Sequence, residues 1–127
     1  MATGDESATI TTSLEQRGDP KLPVWEHLIT WSYDTDDTGA EVQAIELNGI
    51  LLKIVFDVPA TTTTGTTSQL LIKDNSDNTI FDSGELAEGS TYTFNLFEPL
   101  SGTVDVSYEP SAAAGSAETP TVLLRGI

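Results

Sequence analysis

The sequence contains one histidine, His27, and no cysteine. Any Ser–His–Asp arrangement would have to be built on His27. That residue lies in the run Trp25-Glu26-His27-Leu28-Ile29-Thr30-Trp31-Ser32-Tyr33. Large side chains recur there at every second position, the period of a half-buried β-strand. His27 therefore shares a face with Ile29 and Trp31, and reads as a core or interface residue rather than a general base. No Gly-x-Ser-x-Gly elbow, phosphate loop or dinucleotide fingerprint accompanies it. The absence of cysteine removes thiolate zinc sites, disulfides and a thiol nucleophile. The expectation is a protein that is not an enzyme, with no catalytic residues and no cofactor.

Carboxylates are the abundant reactive group, twenty against five basic side chains. A glycosidase needs only two of them, but a short domain leaves little room for a deep cleft. Calcium is the other chemistry that carboxylates suggest. Asp34-Thr35-Asp36-Asp37-Thr38-Gly39 starts like an oxygen-ligand loop, yet its bidentate position falls on Ile45. The loop from Asp74 places Glu85 at that position but has Thr79 where glycine belongs. Both read as turns, and no metal ligand is assigned. Trp25, Trp31 and Tyr33 would suit a sugar-stacking platform. Their strict alternation with polar residues favours core packing.

These residues must be carried by short strands. Tyr92, Phe94 and Leu96 alternate with Thr91, Thr93 and Asn95; Val104, Val106 and Tyr108 alternate with Thr103, Asp105 and Ser107. Val42–Leu47 and Ile50–Val58 read as two strands around Asn48-Gly49, a hairpin signal. In the second, Ile50, Leu52, Ile54, Phe56 and Val58 share a face, and Leu51 and Val55 on the other mark a central strand. Gln69–Lys73 and Thr79–Asp82 flank a turn at Asp74–Asn78. Gly84–Gly89 is a polar crossing in which Leu86 tucks inward. Glu98–Gly102 joins two strands, and Thr121–Leu124 is the last. The expected architecture is all-β: one antiparallel β-sandwich of about eight strands over 23–127, Ig-like or jelly-roll-like. Residues 1–22 form a polar N-terminal arm, either a disordered tail or a segment that orders on a neighbour. Thr9-Ile10-Thr11-Thr12 within it would suit an edge strand.

The chain of 127 residues fits one domain, and its formal charge is −15. Its scattered basic residues form no stripe to neutralise phosphates, so nucleic acid is not an expected partner. Anionic membranes are disfavoured likewise, and no apolar run approaches the roughly 20 residues of a spanning helix. The first residues lack the pattern of a signal peptide, so synthesis in the cytoplasm is expected. The charge reads as a means of keeping like copies apart in solution, with a docking surface for a basic partner as the alternative.

The order His27-Leu28-Ile29-Thr30-Trp31-Ser32-Tyr33, an acidic Gly39 loop, Ile45-Glu46-Leu47-Asn48-Gly49-Ile50-Leu51-Leu52-Lys53-Ile54-Val55-Phe56 and Leu70-Leu71-Ile72-Lys73-Asp74-Asn75-Ser76-Asp77 resembles small β-sandwich virion proteins of tailed bacteriophages. That class includes capsid decoration (cement) proteins, and the resemblance covers about residues 25–110. It implies a structural protein on the outer capsid surface, made in the host cytoplasm. Its partners would be the major capsid protein and neighbouring copies of itself, a trimer included. Thr9, Ile10, Thr11, Thr12 and Leu14 of the arm, with one loop end of the sandwich, are the expected capsid contact. A tail, neck or fibre-base protein of the same virion is the alternative, and a glycan-binding Ig-like module with Trp25, Trp31 or Tyr33 as its platform is another.

Overall fold

The computed structural model describes the backbone of residues 7–16 and 23–127, and side chains from Val24 onward. It is all-β, with eight strands: β1 (Ser7–Gln16), β2 (Pro23–Ser32), β3 (Glu41–Val58), β4 (Thr67–Lys73), β5 (Thr79–Asp82), β6 (Leu86–Ala87), β7 (Ser90–Pro110) and β8 (Thr121–Gly126). They form one antiparallel sheet in the order β1-β2-β8-β3-β7-β4-β5, with β6 added to β4.

Two strands differ from expectation. Asn48-Gly49 does not turn a hairpin, because β3 runs straight through it for 18 residues. Glu98–Gly102 does not join two strands, because β7 runs through it for 21 residues. The turn signals instead mark bends. Gly49 has φ +128° and stands opposite Leu100; Gly102 has φ +116° and stands opposite Leu47. Only glycine takes such backbone angles without strain. Asn48 Oδ1 accepts from the Gly102 N–H across the pair at 3.2 Å. Pro99, which has no N–H to donate, sits opposite Ile50 at this bend, beyond the reach of β4.

The bends fold one sheet into two layers, since strands turn sheet corners by bulges and bends. The first layer is β1-β2-β8 with the second half of β3 and the first half of β7. The other is the first half of β3 with the second half of β7, then β4 and β5. The layers meet face to face. Trp31 of β2 stacks on Tyr108 of β7 at 5.5 Å, and Phe56 of β3 meets the same ring edge-on at 6.0 Å. Phe81 of β5 meets Phe94 of β7 at 4.9 Å on the other flank. Ile29, Leu47, Leu51, Ile54, Leu70, Ile72, Val106, Val122 and Leu124 fill the space between.

A register shift between Leu51 and Lys53 explains a second correction. The irregularity switches which parity of β3 faces inward. Ile45, Leu47 and Leu51 are buried before it, and Ile54, Phe56 and Val58 after it, so Ile50 and Leu52 leave the face expected for them. Leu86 packs against the core, as read from the sequence.

A methyl group at Gly49 would run into the Ile127 carbonyl as well as strain the backbone. Gly65 also has positive φ, +83°, but faces open space. Gly49→Ala should therefore destabilise the fold by about 1–3 kcal/mol. Gly65→Ala should cost less, and urea midpoints of the two variants make the comparison.

Candidate functional site

The residues singled out for chemistry do not converge. His27 is half-buried, its ring edge-on to Trp25 at 5.4 Å. Burial pulls its pKa below the ordinary imidazole value. Its Nδ1 is buried without a hydrogen-bond partner, so no described carboxylate orients it as a triad would require. The three rings of the supposed sugar platform are turned into the core: Trp25 is 6% exposed, Trp31 0% and Tyr33 5%. Tyr33 Oη donates to the Gly39 carbonyl at 2.6 Å, tying the acidic loop to the strand. A stacking platform needs an open ring face, and these rings have none.

Several carboxylates are taken up by loop geometry. Asp74 Oδ1 accepts from the Ser76 and Asn78 backbone N–H groups at 2.9 Å each, an Asx turn that closes the β4–β5 connection. The Asn78 bond is the main cause holding Asp74 below the usual carboxylate range, and Ser76 adds to it. Glu85 Oε2 accepts from Thr67 Oγ1 at 2.6 Å, away from the Asp74 turn. Gln69 and the Gly84 N–H lower Asp82 in the same way. Glu88 accepts from Thr61 Oγ1 at 2.6 Å and from its N–H at 3.1 Å, pinning the Thr-rich loop to the turn before β7; these bonds depress its pKa. Among the described residues no group of three or more His, Asp and Glu is gathered as a metal site. Tyr108, at the centre of the core, has its pKa raised by burial, partly opposed by the Ser68 hydroxyl at 2.8 Å.

What remains available to a partner is surface and edge. The outer face of the first layer is ordered in rows by register. Glu26, Arg125, Lys53 and Asn95 form one row; Leu28, Leu123, Val55 and Thr93 the next; Thr30, Thr121, Asp57 and Thr91 the third. Arg125 Nε lies 3.5 Å from Glu26 Oε1. The outer face of the other layer holds a shallow groove of about 230 Å³ lined by Val42, Leu71, Lys73, Asp77, Asp105 and Ser107. The most exposed large apolar side chain described is Phe97, at 70%.

The expected contact residues Thr9, Ile10, Thr11, Thr12 and Leu14 lie together in β1, the outermost strand of the first layer. Its backbone pairs with β2 in unbroken register, Ile10 opposite Ile29 and Leu14 opposite Trp25. The rest of the arm, residues 1–6 and 17–22, lies outside the described residues. Phe97 was missed as a surface feature. The signal for it is local: Leu96-Phe97 breaks the alternation of its strand.

Glu88 gives a pH-dependent test. Its folded pKa is depressed, so its contribution is present above the unfolded value near 4.5 and is lost as pH falls through the lower folded value. Glu88→Gln should lower Tm at neutral pH, and the deficit should shrink below about pH 4.5. Thermal melts of the two proteins across that range measure it.

No protein-family model matches the sequence, and no curated protein matches it. Solved structures do give matches of low similarity. The VP2 subviral particle of infectious bursal disease virus is 12% identical at TM-score 0.42, covering 99% of this chain and 33% of that one. The enzymatically active domain of tailspike protein 4 of bacteriophage CBA120 is 12% identical at TM-score 0.36, covering 97% of this chain and 19% of that one. The present chain thus spans about a third of the first protein's length and about a fifth of the second's.

Proposed function

We propose that this chain is a structural, non-enzymatic virion protein of a tailed phage, and that it binds the outer capsid surface as a head decoration protein. The observation that carries the reading is where the chain spends its side chains. The large apolar residues fill one two-layer core, and several of the hydrogen-bonded carboxylates shape turns. What is left over is a rigid scaffold with open strand edges, suited to being bound rather than to reacting. The sequence pattern of residues 25–110 points the same way.

In this reading the capsid contact is made by the arm, with Thr9, Ile10, Thr11, Thr12 and Leu14 at its centre. Repetition over a shell turns a modest single contact into avidity. The net charge of −15 opposes nonspecific clumping of free copies before they meet the shell.

Two measurements test it. Quantitative mass spectrometry of purified particles should find this chain in numbers comparable with the major capsid protein. A handful of copies per particle would move it to the tail, neck or fibre base. Removing residues 1–20 should weaken binding to purified heads by at least about tenfold. Circular dichroism and a thermal melt of the shortened chain serve as its folding control, since β1 covers the edge of β2. Undiminished binding would sink the arm assignment.

A further inference from the structure

The first half of β7 is an open edge. β3 pairs with one side of β7 from Ser90 to Tyr108, apart from the irregularity at Leu96–Phe97, whereas β4 pairs with the other side only from Asp105 to Pro110. Over Ser90–Phe97 no described strand occupies that second side. An unpaired row of N–H and C=O groups is a template for another strand unless lysine, proline or shortness blocks it. The run Ser90-Thr91-Tyr92-Thr93-Phe94-Asn95-Leu96-Phe97 contains no lysine and no proline. It also contains no charge, in a chain of net charge −15.

The other open edges of the described fold differ. β5 is four residues long, carries Asp82, and has a register shift beside it. The first half of β3 beyond β8 carries Glu41 and Glu46. β1 is likewise uncharged from Ser7 to Leu14; the β7 edge is uncharged and also has a partly buried apolar flank beside it. Tyr92, Phe94 and Leu96 are only partly buried, and so is Phe81, whose ring meets Phe94 at 4.9 Å. Phe97 stands 70% exposed at the end of the run.

We propose that this edge binds a second copy of the same chain, β7 pairing antiparallel with β7 across a two-fold axis. Two arguments select that occupant. The net charge of −15 disfavours contact between the acidic surfaces of two copies, whereas Ser90–Phe97 carries no charge and lets two copies meet without that repulsion. An antiparallel pair of identical strands is also self-complementary, and it brings the two partly buried apolar flanks together. A continuous sheet requires inward residues to face inward residues; the proposed register meets this by centring on Phe94, which puts Tyr92 opposite Leu96, Thr93 opposite Asn95 and Phe97 opposite Thr91. Pairing one edge with itself is complete at two copies, so the assembly is a closed dimer rather than a trimer.

The dimer goes beyond the capsid reading and is tested without a capsid, so either can fail alone. Light scattering and sedimentation of the full chain, from about 1 μM to about 1 mM, should show a shift from one-chain to two-chain mass. Added salt should preserve or strengthen the dimer, because it screens repulsion between the two acidic bodies. Thr93→Lys and Phe97→Asp alter exposed positions and should leave the circular dichroism unchanged. Each should weaken dimerisation by at least about tenfold. Amide exchange of Ser90–Phe97 should slow with concentration. A Thr93→Cys, Asn95→Cys double variant should form an intermolecular disulfide under mild oxidation. A chain that stays monomeric throughout, a mass of three or more chains, or a dimer indifferent to both Thr93→Lys and Phe97→Asp overturns the proposal.

Discussion

The fold depends on the bending of two long strands at one place. β3 and β7 stay hydrogen-bonded to each other from Glu41–Tyr108 to Val58–Ser90, with one register shift. Two paired strands of that length would form a flat ribbon with one face wet unless they bend together. Gly49 and Gly102 supply the bend from opposite strands, and the irregularity at Leu51/Lys53 switches the inward parity just beyond it. Everything else follows from that fold-over. Residues of β2 and β8 come to lie opposite residues of β4 and the end of β7, and Tyr108 becomes the ring on which Trp31, Tyr33 and Phe56 converge. The benefit is apolar burial, worth roughly 25 cal/mol for each Å² removed from water. Trp25 and Trp31 leave their indole N–H groups unpartnered in exchange, a cost of about 1–3 kcal/mol for each such group.

The same fold-over sets where polar chemistry can be. With both inner faces apolar, carboxylates are left to the outer faces and the connections. There several act as turn-closing acceptors, as Asp74 and Glu88 do, and their pKa values fall because backbone and hydroxyl donors stabilise the charged form. Such groups are occupied with local geometry rather than poised for proton transfer. The acidic surface then makes uncharged edges the places where another protein approaches without electrostatic cost. The proposed virion role and the proposed edge-to-edge pairing of copies both draw on this distribution of charge.

Much of the fold was legible in residue order because β-alternation is local. The faces of Trp25–Tyr33, Tyr92–Leu96 and Val104–Tyr108 could be read by counting twos, and the inward tuck of Leu86 from its apolar side chain in a polar crossing. The misreadings at Asn48-Gly49 and Glu98–Gly102 share one cause. A glycine with positive φ serves a hairpin turn and a bend in a continuous strand equally well. The neighbouring sequence does not say which, because the choice depends on whether a partner strand bends at the same height. The candidate contact surface was half legible. The Thr9–Leu14 run could be seen as edge-strand material, while the open side of Ser90–Phe97 could not, since strand neighbours are set by topology.

The sequence by itself determined the class of this protein: all-β, antiparallel, acidic, with one histidine in a strand and no thiol. Those properties follow from residue type and a period of two, which need no knowledge of distant contacts. Only the tertiary structure decided that two pairs of apparent strands are two long ones, that Trp25, Trp31 and Tyr33 are core and not platform, and which edges stay open. Each of these is a relation between residues far apart in sequence. It is fixed by the simultaneous burial of both layers, a condition that no local stretch of the chain contains.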